Sequence, residues 1–282
     1  MMIFTKKTLK EIFSYTVLII IAFFLCYPLL WMFFASFKTN AEIYTGVSLF
    51  PQEINFDAFR DGWKGVAGNT FTKFFGNSFL LVIPTALFTI ISSTLVAYGF
   101  ARFEFKGKKI LFIVLLSTLM LPNSILIIPR YTIFRTLSAL DSYTPFYLMS
   151  IFACYPFFTY MLVQFIRGIP KELDESALMD GCGSFRTLIS ILLPLLKPAL
   201  FSAGLFQFLW TYNDYFNSLI YINSVKKFPV SLALRLTLDA DAIIIWKNVM
   251  AMSSLAVLPV VILFFLCQKY FVEGIATTGL KG

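Results

Sequence analysis

Long runs without a charged residue are the feature that most restricts how this chain folds. A membrane-spanning helix needs roughly 20 consecutive apolar residues to cross about 30 Å of hydrocarbon. Each run therefore predicts one such helix, and the chain is predicted to be an all-α, polytopic membrane helix bundle with six transmembrane helices. The runs occupy residues 12–37, 74–101, 110–129, 142–166 and 248–268, and a sixth, 198–213, resumes after Asp214 and continues to Tyr221.

The composition agrees with this interpretation. Of the 282 residues, 59% are hydrophobic and only 13% are charged, whereas a soluble domain is about half apolar and about a quarter charged. One water-soluble core of this size does not bury so much apolar surface. The bilayer is therefore the expected solvent.

The domain organisation expected from these runs is a single transmembrane domain over residues 1–282. Its spans are predicted at about 13–36, 76–100, 110–129, 143–166, 198–222 and 248–269, with a large loop at 167–197. The lysines before the first run also suit a signal peptide. However, the apolar part is longer than the roughly 7–15 residues of a signal-peptide h-region, and no small-residue cleavage site follows it.

Positive charge near the span ends indicates the orientation. The loop 101–109 holds four cations, namely Arg102, Lys106, Lys108 and Lys109. Short loops rich in Lys and Arg stay on the cytoplasmic side, so we predict a bacterial inner-membrane protein with both termini cytoplasmic. Attraction to membrane lipid with anionic headgroups accounts for the net charge of +8, and no nucleic-acid partner is expected.

Motifs for nucleotide binding and catalysis are absent from the sequence. No G-x-x-x-x-G-K-[ST] segment is present, and neither a hydrolase nor a dinucleotide-binding motif occurs. The chain has no histidine, and three of its four cysteines fall in predicted spans. Neither a metal site nor a disulfide framework is therefore expected. We do not expect an enzyme, and any ATP hydrolysis must take place on another polypeptide.

The loop at 167–197 predicts a short helix with clear boundaries. Pro170 suits the first helical position, and the acidic residues Glu172, Asp174 and Glu175 suit the positive end of the helix dipole. Gly181 and Gly183 predict its end. Ser184 is then predicted to cap a second amphipathic piece that ends near Pro194.

The spacing of residues in this loop resembles the EAA loop of ABC importer permeases, in which E-A-A is followed by G and later by I-x-L-P. The matching residues are Glu175, Ser176, Ala177, Gly181, Ile191, Leu193 and Pro194, with Asp180 directly before the glycine. Ser176 departs from the pattern, as one small residue for another. The resemblance implies a coupling helix seated in a cleft of an ATPase subunit, with Glu175, Ala177 and Gly181 at the interface. An ordinary amphipathic interfacial helix is the alternative.

Other segments of the sequence indicate which branch of the ABC importer permeases this chain resembles. The segments 28–39, 77–78, 97–102, 121–131 and 274–282 resemble those of the shorter, second permease of maltose-type carbohydrate importers. This resemblance implies the type I permease fold and a di- or oligosaccharide substrate. It also implies the partners: a larger permease, two ATPase subunits that bind ATP and Mg, and an extracytoplasmic solute-binding protein. No cofactor is expected in this chain, and the tail 274–282 is expected to reach into the ATPase pair.

The fifth predicted span carries polar residues at helical spacing, which we predict to line a substrate path. They are Gln207, Trp210, Asn213, Asp214 and Asn217. Amides and carboxylates pair with sugar hydroxyls, and an ionisable group inside a span is a functional candidate. Buried polar residues also hold spans together, which is the alternative.

The loop 37–75, with Asp57, Arg60, Asp61, Trp63 and Lys64, is either a contact for the binding protein or a solvated surface of mixed charge.

Three other functions compete with a carbohydrate permease. A permease of the same type for glycerol phosphate or another small solute would favour Arg or Lys facing the cavity, and the predicted spans show none. An integral-membrane enzyme would need a catalytic constellation, which the sequence lacks. A channel or secondary carrier would not need the coupling loop.

Overall fold

The computed structural model describes residues 6–46, 48–239 and 244–279, with side chains over residues 10–46, 48–238 and 244–268. The described residues are mainly helical. The α-helices are α1 (Lys6–Ala35), α2 (Asn40–Thr45), α3 (Asp57–Trp63), α4 (Phe71–Arg102), α5 (Lys108–Leu119), α6 (Asn123–Thr136), α7 (Thr144–Ile151), α8 (Pro156–Gly168), α9 (Glu172–Met179), α10 (Ser184–Thr187), α11 (Leu193–Leu195), α12 (Lys197–Tyr212), α13 (Tyr215–Tyr221), α14 (Val230–Asp239) and α15 (Trp246–Gly279).

The described residues include four helical segments long and apolar enough to cross a membrane, and up to six if each of two bent pairs is one span. The bends lie between α5 and α6, at 106°, and between the helices at Ser184–Leu195 and α12, at 79°. Pro122 precedes α6, and Pro198 lies in the first turn of α12. Proline cannot donate a backbone hydrogen bond and restricts the residue before it, so each bend falls where the helical ladder is interrupted.

Three predicted spans are therefore not single unbroken helices. The run 142–166 divides between α7 and α8, although the two together count as one membrane-crossing segment. The run 110–129 divides between α5 and α6. The run 198–222 divides between α12 and α13, because α12 ends at Tyr212 and Asp214 caps the next helix. An unbroken apolar run does not reveal such breaks, since apolar residues occupy both sides of them.

The backbone separates into two compact units. The first comprises the described parts of Met1–Phe71 and Leu234–Pro259, and the second those of Thr72–Ala233 and Val260–Gly282. The long helix α15 contributes to both.

In the second unit, two apolar clusters form near the two ends of α4. One joins the C-terminal part of α4 to α8 and to the segment 188–199, with Ala97, Leu162, Val163 and Leu192 fully buried. The other joins the N-terminal part of α4 to α6, α7 and α13 around Phe146 and Tyr221. Close van der Waals packing of this kind drives helix association in lipid.

In the first unit, α1 is exposed along almost all of its described side chains. Beyond it, Lys38 is buried, donates to the Ser48 carbonyl oxygen and lies 5.9 Å from the centre of the Trp31 ring. In the loop 37–75, Arg60 and Lys64 form exposed ion pairs with neighbouring aspartates. These short-range pairs favour a solvated surface of mixed charge.

Candidate functional site

The loop 167–197 contains a short helix that ends in a complete Schellman motif. The N–H of Cys182 donates to the Ala177 carbonyl oxygen at 2.8 Å, and the N–H of Gly181 donates to that of Leu178 at 3.0 Å. Gly181 adopts a left-handed φ of 77°, which an L side chain rarely adopts. A Cβ at this position would meet nothing within 4 Å. The requirement for glycine is therefore conformational, as the sequence indicated.

Two details of the predicted boundaries are wrong. Pro170 precedes the helix, because α9 begins at Glu172 with Lys171 as its N-cap. Ser184 does not cap the second piece, because Gly183 is the N-cap of α10 and makes no side-chain hydrogen bond. Boundaries shift by a residue or two when neighbouring residues have similar preferences.

The loop is joined to the C-terminal end of α4 by polar contacts. Arg102, the last residue of α4, has its Nε 2.9 Å from Asp174 Oδ2, with only 6% and 21% of the two side chains exposed. Its Nη2 donates to the Ile169 carbonyl oxygen at 3.0 Å. The Tyr98 hydroxyl donates to the Ser184 carbonyl oxygen at 3.0 Å. We call these three contacts the α4 tie.

Three large apolar side chains of the loop are uncovered in the isolated chain. Leu178 is 71% exposed, Met179 is 87% exposed and Phe185 is 67% exposed. Ala177, by contrast, is only 3% exposed, so it faces the chain itself. Large exposed apolar side chains in a polar loop mark an interaction surface.

The remaining predicted residues of the loop divide into an exposed and a partly covered group. Glu175, Ser176, Asp180, Gly181 and Pro194 are exposed, whereas Ile191 and Leu193 are half-buried. A π-helical turn at Leu188–Leu192 leads into α11 and then to the 79° bend before α12. Such turns are frequent at functional sites, because they interrupt the regular ladder.

The predicted substrate residues do not share one helical face, because the helix breaks between Tyr212 and Tyr215. Gln207 is buried and donates to Thr211 Oγ1 at 2.8 Å. Trp210 is 48% exposed and lies 5.1 Å from the rings of Phe157 and Phe158.

Beyond the break, Asn213 and Asp214 have local roles. Asn213 is exposed and donates to the Leu209 carbonyl oxygen at 2.9 Å. Asp214 is the N-cap of α13, and its Oδ1 accepts from the Asn217 N–H at 3.0 Å while its Oδ2 accepts from Asn217 Nδ2 at 2.7 Å. The helix break thus explains why an acidic residue interrupts this apolar run.

A second polar network lies near the N-terminal end of α4 and was not predicted. The Asp141 carboxylate accepts from the N–H groups of Asn223 and Ser224, at 3.0 and 2.8 Å, and from Ser224 Oγ at 2.7 Å. Its Oδ2 also lies 3.0 Å from Lys227 Nζ. Three more side chains bind backbone groups of the segment 226–230, namely Asn77, Ser78 and Tyr143. We call this network the Asp141 clamp.

The electrostatics of the clamp stabilise the ionised carboxylate. Partial burial raises the pKa of Asp141, but hydrogen bonds from Ser224, Lys227 and Asn223 outweigh it and hold the pKa well below its ordinary value. The contacting residues lie far apart in the sequence, so no local pattern could have revealed them.

The fold and these sites define a polytopic helical membrane protein with a structured loop that exposes large apolar side chains. The chain belongs to the family of binding-protein-dependent transport system inner membrane components, which it matches over residues 90–277. Its helical fold and its expected kinship with ABC importer permeases are thereby confirmed.

Individual relatives match over almost the whole chain. The probable ABC transporter permease protein YurM of Bacillus subtilis is 33% identical over 98% of this chain and 89% of its own length. The arabinooligosaccharides transport system permease protein AraQ of the same species is 30% identical over 91% and 90%. Among solved structures, a chain of a bacterial ABC transporter that imports alginate has a TM-score of 0.83, with 22% identity, over 96% of this chain and 100% of that chain.

Proposed function

We propose that the chain is one of two permease subunits of an ATP-driven importer for carbohydrates, with di- or oligosaccharides as substrates. The observation that carries the proposal is the capped helix α9, which matches the coupling-loop spacing and presents Leu178 and Met179 to a partner. The choice of substrate rests on relatives named for arabinooligosaccharides, for trehalose and maltose in Thermococcus litoralis, and for diacetylchitobiose in Streptomyces coelicolor.

The proposed assembly contains one copy of this chain, a larger related permease, two ATPase subunits and an extracytoplasmic solute-binding protein. A solved alginate transporter in complex with its periplasmic protein supports the last partner; its matching chain has a TM-score of 0.64 and 18% identity. ATP and Mg would bind to the ATPase subunits, and this chain would hold no cofactor. All 282 residues would form one permease domain.

In the proposed coupling site, Leu178, Met179 and Phe185 fill an apolar cleft of an ATPase subunit. Glu175 and Asp180 flank this surface, and Gly181 allows the turn that presents it. Ala177 supports the helix from the inner side. Motion of the loop would then pass through Ile191, Leu193 and Pro194 to the bend before α12. The tail 274–282 would add a second contact, and Leu280–Gly282 lie outside the described residues.

The proposed orientation places this loop and both termini in the cytoplasm. A cavity of about 760 Å³ near the start of α5 is lined by three cations (Lys108, Lys109 and Arg167), one acidic residue (Glu104) and apolar side chains such as Ile113. This combination suits membrane lipid with an anionic headgroup, since basic pockets at the cytoplasmic side favour such lipids.

We also propose that the region around the break after α12 lines the path of the solute. Trp210 and Asn213 are exposed there and offer an aromatic face and an amide, which suit the C–H side and the hydroxyls of a sugar. Gln207, Asp214 and Asn217 would shape the path through the contacts described above.

A glycerol phosphate substrate is the second candidate. The sn-glycerol-3-phosphate permease protein UgpE of Brucella abortus is 29% identical over 97% of this chain. In addition, α6 extends past the predicted third span to Thr136 and contains Arg130, which provides a cation that the predicted spans lacked.

Uptake of labelled solutes in a strain deleted for this gene tests the proposal. The panel holds mono-, di- and oligosaccharides, glycerol phosphates and peptides. Selective loss of one di- or oligosaccharide, restored by the intact gene, supports the proposal. Loss confined to a phosphate ester, restored by the intact gene but not by Arg130→Gln, moves the assignment to the second candidate. Unchanged uptake of every solute contradicts both.

A further inference from the structure

The three contacts of the α4 tie come from one face of the last turn of a long helix. Tyr98 and Arg102 are spaced i, i+4, so their side chains lie on the same side of α4. Arg102 reaches the start of α9 through Asp174, and Tyr98 reaches the start of α10 through Ser184. The two residues thus hold the loop on both sides of the turn at Gly181.

Beside α9, these contacts border a pocket. The pocket, of about 270 Å³, lies between the end of α4 and the loop and is lined by Tyr98, Arg102, Asp174, Leu178 and Cys182 among others. The later part of the loop, 188–196, packs against the end of α4 in the apolar cluster described above. The α4 tie therefore supplies the polar contacts that hold the α9 part of the loop, and a change at one of them alters the position of α9 relative to α4.

The tie is also shielded from water. Tyr98 is only 8% exposed, and the Arg102 side chain is only 6% exposed. Buried charges interact strongly when paired and are unfavourable when one partner is lost. The planar guanidinium of Arg102 contacts a carboxylate and a carbonyl oxygen at the same time. Lysine does not reproduce this pair of contacts, because it lacks the planar arrangement of N–H groups.

We infer that Arg102, with Asp174 and Tyr98, is the positioning element that transmits motion of the coupling loop to α4, and through α4 to the translocation path. This inference rests on the proposed function, because it assigns a role within ATP-coupled transport. The tie makes α4 follow α9 when an ATPase subunit displaces the loop. The residues touch neither solute nor nucleotide; they act through the position of the helices.

The test uses the complete transporter in proteoliposomes with its binding protein, and measures solute uptake and ATP hydrolysis in the same preparation. Arg102→Met is expected to lower the uptake per ATP hydrolysed by between about two- and thirtyfold, the range typical of residues that carry coupling. Arg102→Lys is expected to have a smaller effect, and Tyr98→Phe, which removes one hydroxyl, the smallest.

Lys106→Met is the matched control. Lys106 is likewise a cation at this end of α4, but it is exposed. Substitutions at an exposed position change little, so uptake per ATP is expected to stay at the wild-type value.

The outcomes separate the inference from the proposed function. If the wild-type complex takes up no carbohydrate in an ATP-dependent manner, the proposed function fails. If the wild type does so and the tie variants keep its uptake per ATP, the inference is wrong. It is equally wrong if uptake and hydrolysis fall in parallel in Tyr98→Phe and Arg102→Lys. Those two variants carry the test if Arg102→Met does not assemble.

Discussion

The two ends of α4 are held in different ways. At its N-terminal end, the Asp141 clamp fixes the segment 223–230 with many short hydrogen bonds, next to the cluster around Phe146 and Tyr221. At its C-terminal end, α4 packs against the segment 188–199, whereas the α9 part of the loop is held by the three polar contacts of the α4 tie beside a pocket and exposes Leu178 and Met179. The first arrangement favours one fixed geometry, whereas the second lets a partner move α9 and, through the α4 tie, the end of α4 with it.

This difference matches what an ATP-driven permease requires. A helix bundle that alternates between two states needs elements that move as units and contacts that differ between the states. The many hydrogen bonds of the Asp141 clamp hold the N-terminal end of α4 in one position. At the C-terminal end, the exposed apolar side chains of the loop give a partner a surface to bind.

Breaking the clamp gives the largest expected loss of stability. Asp141→Ala leaves the N–H groups of Asn223 and Ser224 and the ammonium of Lys227 without their acceptor, and places alanine at a left-handed φ of 52°. We expect a loss of about 2–4 kcal/mol, measured by thermal unfolding of the purified chain in detergent. Asp57→Ala is the control, because Asp57 pairs with Arg60 only at 3.6 Å in an exposed position; a loss below about 0.5 kcal/mol is expected. Equal losses of stability in Asp141→Ala and Asp57→Ala would show that the Asp141 clamp contributes no more than an exposed ion pair.

Straining the loop gives the next largest effect. Gly181→Val forces a β-branched side chain into a left-handed conformation, at about 1–2 kcal/mol, although there is space for its Cβ. ATP-dependent uptake is expected to fall while the melting temperature of the chain changes little, because the strain is local to the loop. Gly181→Asn should retain more uptake, since asparagine tolerates this conformation. Equal uptake in the two variants would show that bulk matters more than backbone geometry.

The pH dependence of the clamp is a smaller effect. Because the pKa of Asp141 is lowered in the folded state, its stabilisation is fully present above the ordinary aspartate pKa of about 3.9 and is lost as pH falls through the folded-state value. The difference in stability between the wild type and Asp141→Asn is therefore expected to stay constant from about pH 8 to about pH 5 and to shrink below about pH 4. A difference that already shrinks between pH 8 and pH 6 would contradict this assignment.

Replacing the exposed apolar residues of the loop gives the smallest expected change in stability. Met179→Gln should alter the unfolding free energy of the chain by less than about 0.5 kcal/mol, because the side chain is 87% exposed. Co-purification of the ATPase subunits should nevertheless weaken, because the substitution removes apolar surface from the interface. If Met179→Gln instead destabilised the chain and left the ATPase subunits bound, Met179 would contribute to the folding of the chain and not to the interface.

Local features of the fold followed from the sequence, and contacts between distant segments did not. Gly181 was predicted to end α9 because a helix stop depends on a few adjacent residues. The break after Tyr212 was missed because the apolar run continues beyond it, and Asp214 was interpreted as a residue of the substrate path, whereas it caps the next helix. Arg102 was recognised as an orientation signal and as part of the segment 97–102 that resembles the family, but its pairing with Asp174 was not predicted, since that depends on how α4 and the loop pack.

The central claim is that this chain couples carbohydrate movement to ATP hydrolysis on a partner. The most direct measurement is accumulation of a labelled oligosaccharide in proteoliposomes that contain the complete transporter, with and without ATP on the ATPase side. Accumulation above the external concentration is expected only with ATP, and it is expected to be lost in Gly181→Trp. Accumulation that persists without ATP, or that is unchanged in Gly181→Trp, would contradict ATP coupling and indicate a carrier that works without the coupling loop.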